Sequence, residues 1–469
     1  MGKRIAIIGG GPAGLAAAKA IGLEPSAKEK FSKVDLYERH SNVGGLWTYT
    51  GNKDLVRAQV PSTTNENSGE ILSANARTAE ERFVSPMYEN METNIPKDIM
   101  QFRDFPMPEE YEPFPTRGEI ADYVRSYART VPPNVNLFYN KNVVSLTKKD
   151  NEWELIYQDL NNRDNEIKRK YDDVVLAQGH FDSPYIPDVP GLKEWYKQDS
   201  ESITHSKYFN NVKPFKGKNV LIIGNSASGL DIATQCITYA KSVTMSSKSE
   251  SPFKDVIISD VGQIGVVAKY DINDNRSVTT VKGEKIRDVD VVIFCTGYLY
   301  KIPFLKSYQG GKTGLTGTGS QFRYLYKQLF YIPDPTLSTM LVPQKIIPFP
   351  FAECQAQYIA RVLSGRVSLP SKDIMLKEYE SELAEKGEGN SFHVMPGTAD
   401  CEYCNTLFKE IEGTDKDGFV AEFWNEKRTE RRAHIVDYKS KRLQLIVKYA
   451  EKLQKEEHPY VLLRGEFNP

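Results

Sequence analysis

The chain has 469 residues, 40% hydrophobic and 26% charged, a usage typical of globular proteins with sizeable cores, and its length suits roughly two or three domains. Its 61 basic and 62 acidic residues leave a formal charge of -1, which excludes an overall field that would draw it onto nucleic acid or an anionic membrane. Small molecules are the expected partners.

The opening MGKRIAIIGGGPAG enters a short apolar run and then glycines, without the longer apolar region and cleavage site of a secretory signal, and reads as structure. Ile5 to Ile8 form an apolar strand, an alanine-rich helix begins near Pro12, and Val34 to Glu38 form a second strand, which together make a βαβ unit. Residues 61 to 82 are polar and suit a surface excursion. Strands are expected again at Val143 to Leu146, at Trp153 to Tyr157 and at Asp173 to Ala177, where the first lobe pauses at Gly179.

A second βαβ unit begins at Lys218, with the strand NVLIIG, the turn NSASG, the helix LDIATQCITYA and the strand Ser242 to Ser246. Asp290 to Cys295 runs into Thr296-Gly297-Tyr298, a strand-to-glycine exit like the earlier DVVLAQG, so the chain is expected to cross between lobes at both places. The resulting fold class is α/β, with two Rossmann-like dinucleotide-binding domains and the second inserted in a discontinuous first. The expected partition is residues 1–183, 184–296 and 297–469, the last completing the first domain and adding a charged, helix-prone region. The run at 310 to 320 lacks the leading glycine of a phosphate loop, since Lys306 stands at that position, and reads as a flexible loop. No stretch approaches the roughly 18 apolar residues of a membrane span.

The chemistry concentrates in the two glycine turns. In Gly9-Gly10-Gly11-Pro12-Ala13-Gly14, glycines permit a tight turn, close approach to a pyrophosphate and packing of helix on sheet, while the helix amino terminus supplies an anion site. Glu38 closes the next strand, where a carboxylate can accept hydrogen bonds from ribose hydroxyls. The second turn, Gly224-Asn225-Ser226-Ala227-Ser228-Gly229, keeps the outer glycines but has serine in the middle, which is expected to shift the backbone slightly away from a phosphate. After its second strand comes Thr244-Met245-Ser246-Ser247-Lys248, with no acid for a ribose diol. A lysine and hydroxyls suit a 2'-phosphate instead. This contrast assigns one turn to a dinucleotide with a free diol and the other to NADPH. The competing readings are an ordinary tight turn beside a solvated glutamate, and a solvated surface lysine.

With these motifs in place the chain resembles the flavin-containing monooxygenases, and within them the fungal enzymes, over most of its length up to about residue 366. Gly44-Gly45-Leu46-Trp47 resembles a family segment that lies along FAD. Tyr88, Thr93-Asn94-Ile95-Pro96 and Met100-Gln101-Phe102 resemble the stretch whose asparagine lies beside the flavin ring and nicotinamide, a role the resemblance carries to Asn94. Ala177, Gly179, Pro184 and Pro187 match the interlobe linker, and Phe294-Cys295-Thr296-Gly297-Tyr298 the return crossing. Pro350, Glu353 and Gln355 resemble a stretch that returns to the flavin. Of the family's identifying pattern, His205 and Phe209 match, whereas Asp199 and Glu201 replace a phenylalanine and a glycine.

The resemblance implies FAD bound by Gly9, Gly10, Gly11, Ala13, Gly14, Glu38, Gly45, Leu46, Trp47, Thr93, Asn94 and Gln355, and NADPH by Gly224, Ser226, Ser228, Gly229 and Lys248. The resemblance further implies that NADPH reduces FAD and that O2 adds to the flavin at C4a, giving a hydroperoxide whose distal oxygen passes to a soft nitrogen or sulfur nucleophile. A disulfide-reductase-like enzyme needs a redox cysteine pair beside the flavin, but the first cysteine is Cys236. A Baeyer-Villiger oxygenase is expected to show Trp-Pro where Phe209-Asn210 stands. A non-catalytic nucleotide-sensing module is the third alternative. Cys401-Glu402-Tyr403-Cys404 has only His393 nearby and no second pair, so no metal site is expected, and His205 reads as structural. Five scattered cysteines point to a reducing compartment such as the cytoplasm, with peripheral attachment at a membrane surface left open.

Overall fold

A computed structural model describes the chain except Met1, Glu250, Pro252, Lys254, Asp255, Ile257, residues 310–313, Asp415, Lys416 and residues 466–469. Lys3–Ile8 forms the first strand, and its alternate residues face two different cores. Ile5 and Ile7 pack on the helical side, while Ala6 and Ile8 meet the side chains of an antiparallel meander. A strand buried on both faces is the expected product of such an uninterrupted apolar run. It pairs in parallel with Phe31–Tyr37 and with Asp173–Leu176. Asn136–Phe138 extends the sheet at one edge, and at the other comes Leu337–Thr339, followed by an antiparallel hairpin of Leu325–Tyr326 and Phe330–Tyr331. The chain therefore leaves this sheet after Leu176 and rejoins it about 150 residues later.

Helix Pro12–Gly22 starts on a proline, whose fixed φ suits a first helical position, and its small alanine face lets helix Pro348–Leu363 approach closely. The meander of Lys141–Lys149, Glu152–Asp159 and Asn162–Tyr171 covers the opposite face with Leu146, Trp153, Leu155 and Tyr157. The second sheet has five parallel strands in the order Ile203–His205, Val291–Phe294, Asn219–Ile223, Ser242–Ser246 and Val261–Ile264. Helix Ala227–Cys236 packs on one face and Trp195, Tyr270 and Val278 on the other. The two crossings between lobes pair with each other, Ser183 with Leu299 and Pro184 with Tyr298.

Three expectations are corrected. The polar stretch 61 to 82 is not a mere surface excursion, because Ser62, Asn65 and Ser68 are buried. Asn65 donates to the Thr316 hydroxyl at 3.1 Å and Ser62 to the Pro184 carbonyl at 2.6 Å, so its polar side chains serve as internal hydrogen-bonding groups. Of the run expected to be a flexible loop, residues 310–313 lie outside the described residues, but Leu315 and Thr316 are buried and the Leu315 carbonyl accepts from Arg323 N at 2.7 Å. The end of the chain also divides. Helix Ala399–Glu410 joins the core of the first lobe, whereas Leu443, Ile446, Val447 and Leu453 of helix Ile435–Lys455 belong to the core of the second.

Candidate active site

Both glycine turns sit at the carboxyl ends of parallel strands and are built alike. Gly9 has φ +112°, and a methyl group there would lie 2.4 Å from the Ala177 carbonyl oxygen. One on Gly14 would lie 1.8 Å from the Gly9 carbonyl. In the second turn Gly224 has φ +110°, with a methyl 2.6 Å from the Cys295 carbonyl, and one on Gly229 would be 2.0 Å from that of Gly224. The middle positions coincide as well, with Gly11 at φ -79°, ψ -176° and Ser226 at φ -80°, ψ -171°. The expected backbone shift at Ser226 is absent, since a φ near -80° is open to any residue. Glycine is favoured at the middle of the first turn for a different reason. A methyl on Gly11 would press to 3.3 Å on Gly45 Cα, where the Gly44-Gly45 segment folds over the turn and Gly44 N donates to the Gly10 carbonyl at 3.0 Å. Neither helix has a side-chain cap, so the first N–H groups of each remain available to an anion.

The ends of the second strands differ. Glu38 is buried, and its carboxylate accepts from Gly10 N at 2.7 Å, from His40 N at 2.8 Å and from His40 Nδ1 at 2.9 Å. Burial raises its pKa, but the His40 hydrogen bonds and charge prevail and hold the carboxyl below its ordinary value. Lys248 is exposed beside the second turn, to which its loop is tied by Asn225 Nδ2 donating to the Ser249 carbonyl at 2.6 Å. Ser228, like Ser226, is exposed at that helix start, whereas Ala13 is buried in the first.

Residues 87 to 102 join the two halves of the site. Met87, Met100, Phe102 and Ile95 share an apolar cluster with Trp47, Leu46 and Leu15, while Tyr88 packs on Phe209 of the second lobe and donates to Asp231 of helix Ala227–Cys236. Thr93 is buried and Asn94 is exposed. Beyond the first sheet, the outgoing crossing carries Gln178 Oε1, His180 Nε2 and Ser183 Oγ, all buried without a protein hydrogen-bond partner. Burial pushes the His180 imidazole down to about 4, which keeps it neutral near pH 7. His180 was not singled out in the sequence. It lies between two residues of the crossing pattern, which was the only signal available.

A flavin-binding monooxygenase-like family model matches residues 76–265 and 254–412, and a model of an NAD(P)-binding Rossmann-like domain matches residues 7–72. The chain belongs to the flavin-binding monooxygenase-like family. Among its relatives, the "Thiol-specific monooxygenase" of Saccharomyces cerevisiae is 31% identical, covering 98% of each chain. The "Flavin-containing monooxygenase FMO GS-OX-like 4" of Arabidopsis thaliana is 28% identical over 93% of each. The solved structure of S-allyl-L-cysteine S-oxygenase from Allium sativum superimposes with a TM-score of 0.75 at 26% identity, covering 97% of this chain and 98% of that one. The protein is thus an oxidoreductase, a flavoprotein monooxygenase with a nicotinamide-binding lobe, and membership implies O2 and a small molecule as substrates.

The monooxygenase site fits two dinucleotides. Each turn is a cradle that a Cβ would fill, each opens on uncapped helix N–H groups, and orphaned polar atoms line the crossing between them. Five residues singled out in the sequence serve the fold. Gln355 is fully buried, with Oε1 accepting from Leu341 N at 2.9 Å and Nε2 donating to Tyr403 Oη at 3.1 Å. It is therefore corrected from a flavin contact to a support of the Leu341 turn. Its neighbour Glu353 is likewise internal, accepting from Arg103 N and Tyr127 Oη at 2.7 Å each. His205 has both ring nitrogens engaged by backbone, Nε2 donating to the Gly297 carbonyl at 3.0 Å and Nδ1 accepting from Lys207 N at 3.1 Å. Cys401 and Cys404 face the core beside Cys354, whose thiol donates to the Cys404 carbonyl at 3.3 Å. No described helix is long and apolar enough to cross a membrane.

Proposed function

We propose that this monooxygenase binds FAD at the Gly9–Gly14 turn and NADPH at the Gly224–Gly229 turn, and oxygenates a sulfur- or nitrogen-containing small molecule through a C4a-hydroperoxyflavin. One observation carries the reading: two turns of the same backbone design end on opposite chemistry, a buried carboxylate at Glu38 and an exposed cation at Lys248. The carboxylate suits a ribose diol and repels a phosphate, whereas Lys248 with Ser226 and Ser228 suits a 2'-phosphate and pyrophosphate. The assignment divides the chain as 1–183, 184–296 and 297–469, except that the final helix packs with the nicotinamide lobe. Sulfur is favoured over nitrogen because the names of two relatives, a thiol-specific monooxygenase and an S-oxygenase, refer to sulfur substrates. Five buried free thiols accord with residence in the reducing cytoplasm.

The bound flavin supplies the chemistry, in which NADPH, H+, O2 and the substrate become NADP+, water and the oxygenated product. The protein residues orient the cofactors and exclude water. Glu38 and the Gly9–Gly14 turn anchor the flavin dinucleotide. Gly45, Leu46, Trp47 and Thr93 would line its length, and Asn94, exposed on the segment that joins the two halves of the site, would supply its amide at the junction of the two cofactors. A closed, dry junction suppresses loss of peroxide.

The test is to purify the protein, record its flavin spectrum, reduce it anaerobically with NADPH and with NADH, and admit O2. Bound FAD, preference for NADPH and a transient absorbance near the C4a-adduct band are expected. Absence of flavin, or equal use of both nicotinamides, overturns the assignment.

A further inference from the structure

We propose that the last helix, Ile435–Lys455, is a brace that positions the Asn94 loop, with Lys439 and Arg442 as its positioning residues; this rests on the role assigned to Asn94 above. Among the charged side chains of this region, these two are not solvated. Lys439 and Arg442 are each 3% exposed and meet Glu92, 8% exposed. Lys439 Nζ lies 2.8 Å from Glu92 Oε1, and Arg442 Nη2 lies 2.8 Å from Glu92 Oε2, with Arg442 Nε at 3.1 Å from the same oxygen. Lys439 also donates to the Thr93 carbonyl at 2.9 Å, the peptide that leads directly into Asn94. Arg442 Nη2 also donates to the Leu463 carbonyl at 2.6 Å, which draws the tail over the same loop.

The helix reaches the other lobe at the same time. Leu443, Ile446, Val447, Ala450 and Leu453 pack in one core with Ile232, Ala233 and Cys236 of the helix that begins at the second glycine turn. That helix touches the Asn94 loop too, through Gln235 Nε2 donating to the Asn90 carbonyl at 2.9 Å. Asn94 itself is exposed, so the direction of its amide depends on the backbone at Glu92 and Thr93. A carboxylate facing two cations tolerates the loss of one, because Glu92 and Arg442 remain a two-point pair. Removing Lys439 therefore frees the Thr93 carbonyl without stranding a buried charge.

The variants are Lys439→Met, Lys439→Arg and Asn94→Ala, made in the full-length flavoprotein and assayed with methyl phenyl sulfide. Lys439→Met is expected to keep its flavin content and NADP+ affinity while the ratio of peroxide to sulfoxide rises about tenfold, as a small displacement of an orienting group does. Amide hydrogen exchange at residues 92–95 of the same variant, measured without substrate, should quicken by about tenfold. Lys439→Arg should restore both. Unchanged exchange at residues 92–95 in Lys439→Met overturns the brace. Unchanged coupling in Lys439→Met while Asn94→Ala uncouples the enzyme also overturns the brace, but leaves the role of Asn94 standing. Unchanged coupling in Asn94→Ala overturns that role instead.

Discussion

Single atoms decide much of this site. Gly14 carries no side chain because the Gly9 carbonyl oxygen occupies the place of its Cβ, at 1.8 Å. Gly14→Ala is expected to purify without flavin and to lose about 3 kcal/mol of stability to overpacking, measured by denaturant unfolding and flavin absorbance. Lys248 is exposed with its charge directed to solvent beside the second turn, so its value lies in what it meets on binding. Lys248→Glu should raise KM for NADPH by about tenfold or more, equivalent to roughly 1.4 kcal/mol, and leave KM for NADH nearly unchanged. Steady-state kinetics with both nicotinamides checks this. Glu38 and Lys248 were both visible in the sequence, because a turn and the end of the next strand are local and their spacing is set by the βαβ unit. His180 was not, since an orphaned ring nitrogen exists only once its surroundings are folded.

Among the elements, helix Pro348–Leu363 shows how a motif can match a functional pattern while its side chains serve packing. Its buried face lies against helix Pro12–Gly22, and Glu353 is sealed between Arg103 N and Tyr127 Oη. Burial pushes the Glu353 carboxyl up from 4.5 to about 7, only partly opposed by these hydrogen bonds and by Lys19. Because the folded state holds this proton more tightly, its contribution to stability is complete below about pH 4.5 and is lost as pH rises through about 7. The swing amounts to about 3 kcal/mol. Glu353→Gln, whose Nε2 can donate to the Tyr127 hydroxyl, should remove this dependence and make the variant more stable than the parent at pH 8. Unfolding midpoints across pH 5 to 8 report it. The strand and helix boundaries themselves were largely legible from apolar periodicity and glycine punctuation. The polar stretch 61 to 82 was not, because its buried hydroxyls and amides are satisfied by partners as distant in sequence as Thr316.

At the scale of the whole molecule, ion clusters hold the lobes at the crossing. Lys207, leaving the first strand of the second sheet, lies 2.7 Å from Glu70 and 2.8 Å from Asp182, and Asp182 also pairs with Arg39 at 3.0 Å. Lys207→Met should cost about 2 kcal/mol, below the roughly 3–5 kcal/mol of a fully buried pair because both carboxylates keep some solvent contact. Limited proteolysis near residues 179–187 should quicken at the same time. Two βαβ units with their glycine turns, the places of the two crossings and the contrast between Glu38 and Lys248 were determined by the sequence alone, since each rests on residues near one another in the chain. Only the tertiary structure decided that Gln355 faces inward, that Ser226 keeps the backbone of Gly11, and that the charged last helix buries two cations against Glu92. Those outcomes depend on contacts between segments as much as 350 residues apart, where the sequence carries no spacing rule and three-dimensional packing alone sets which charge meets which.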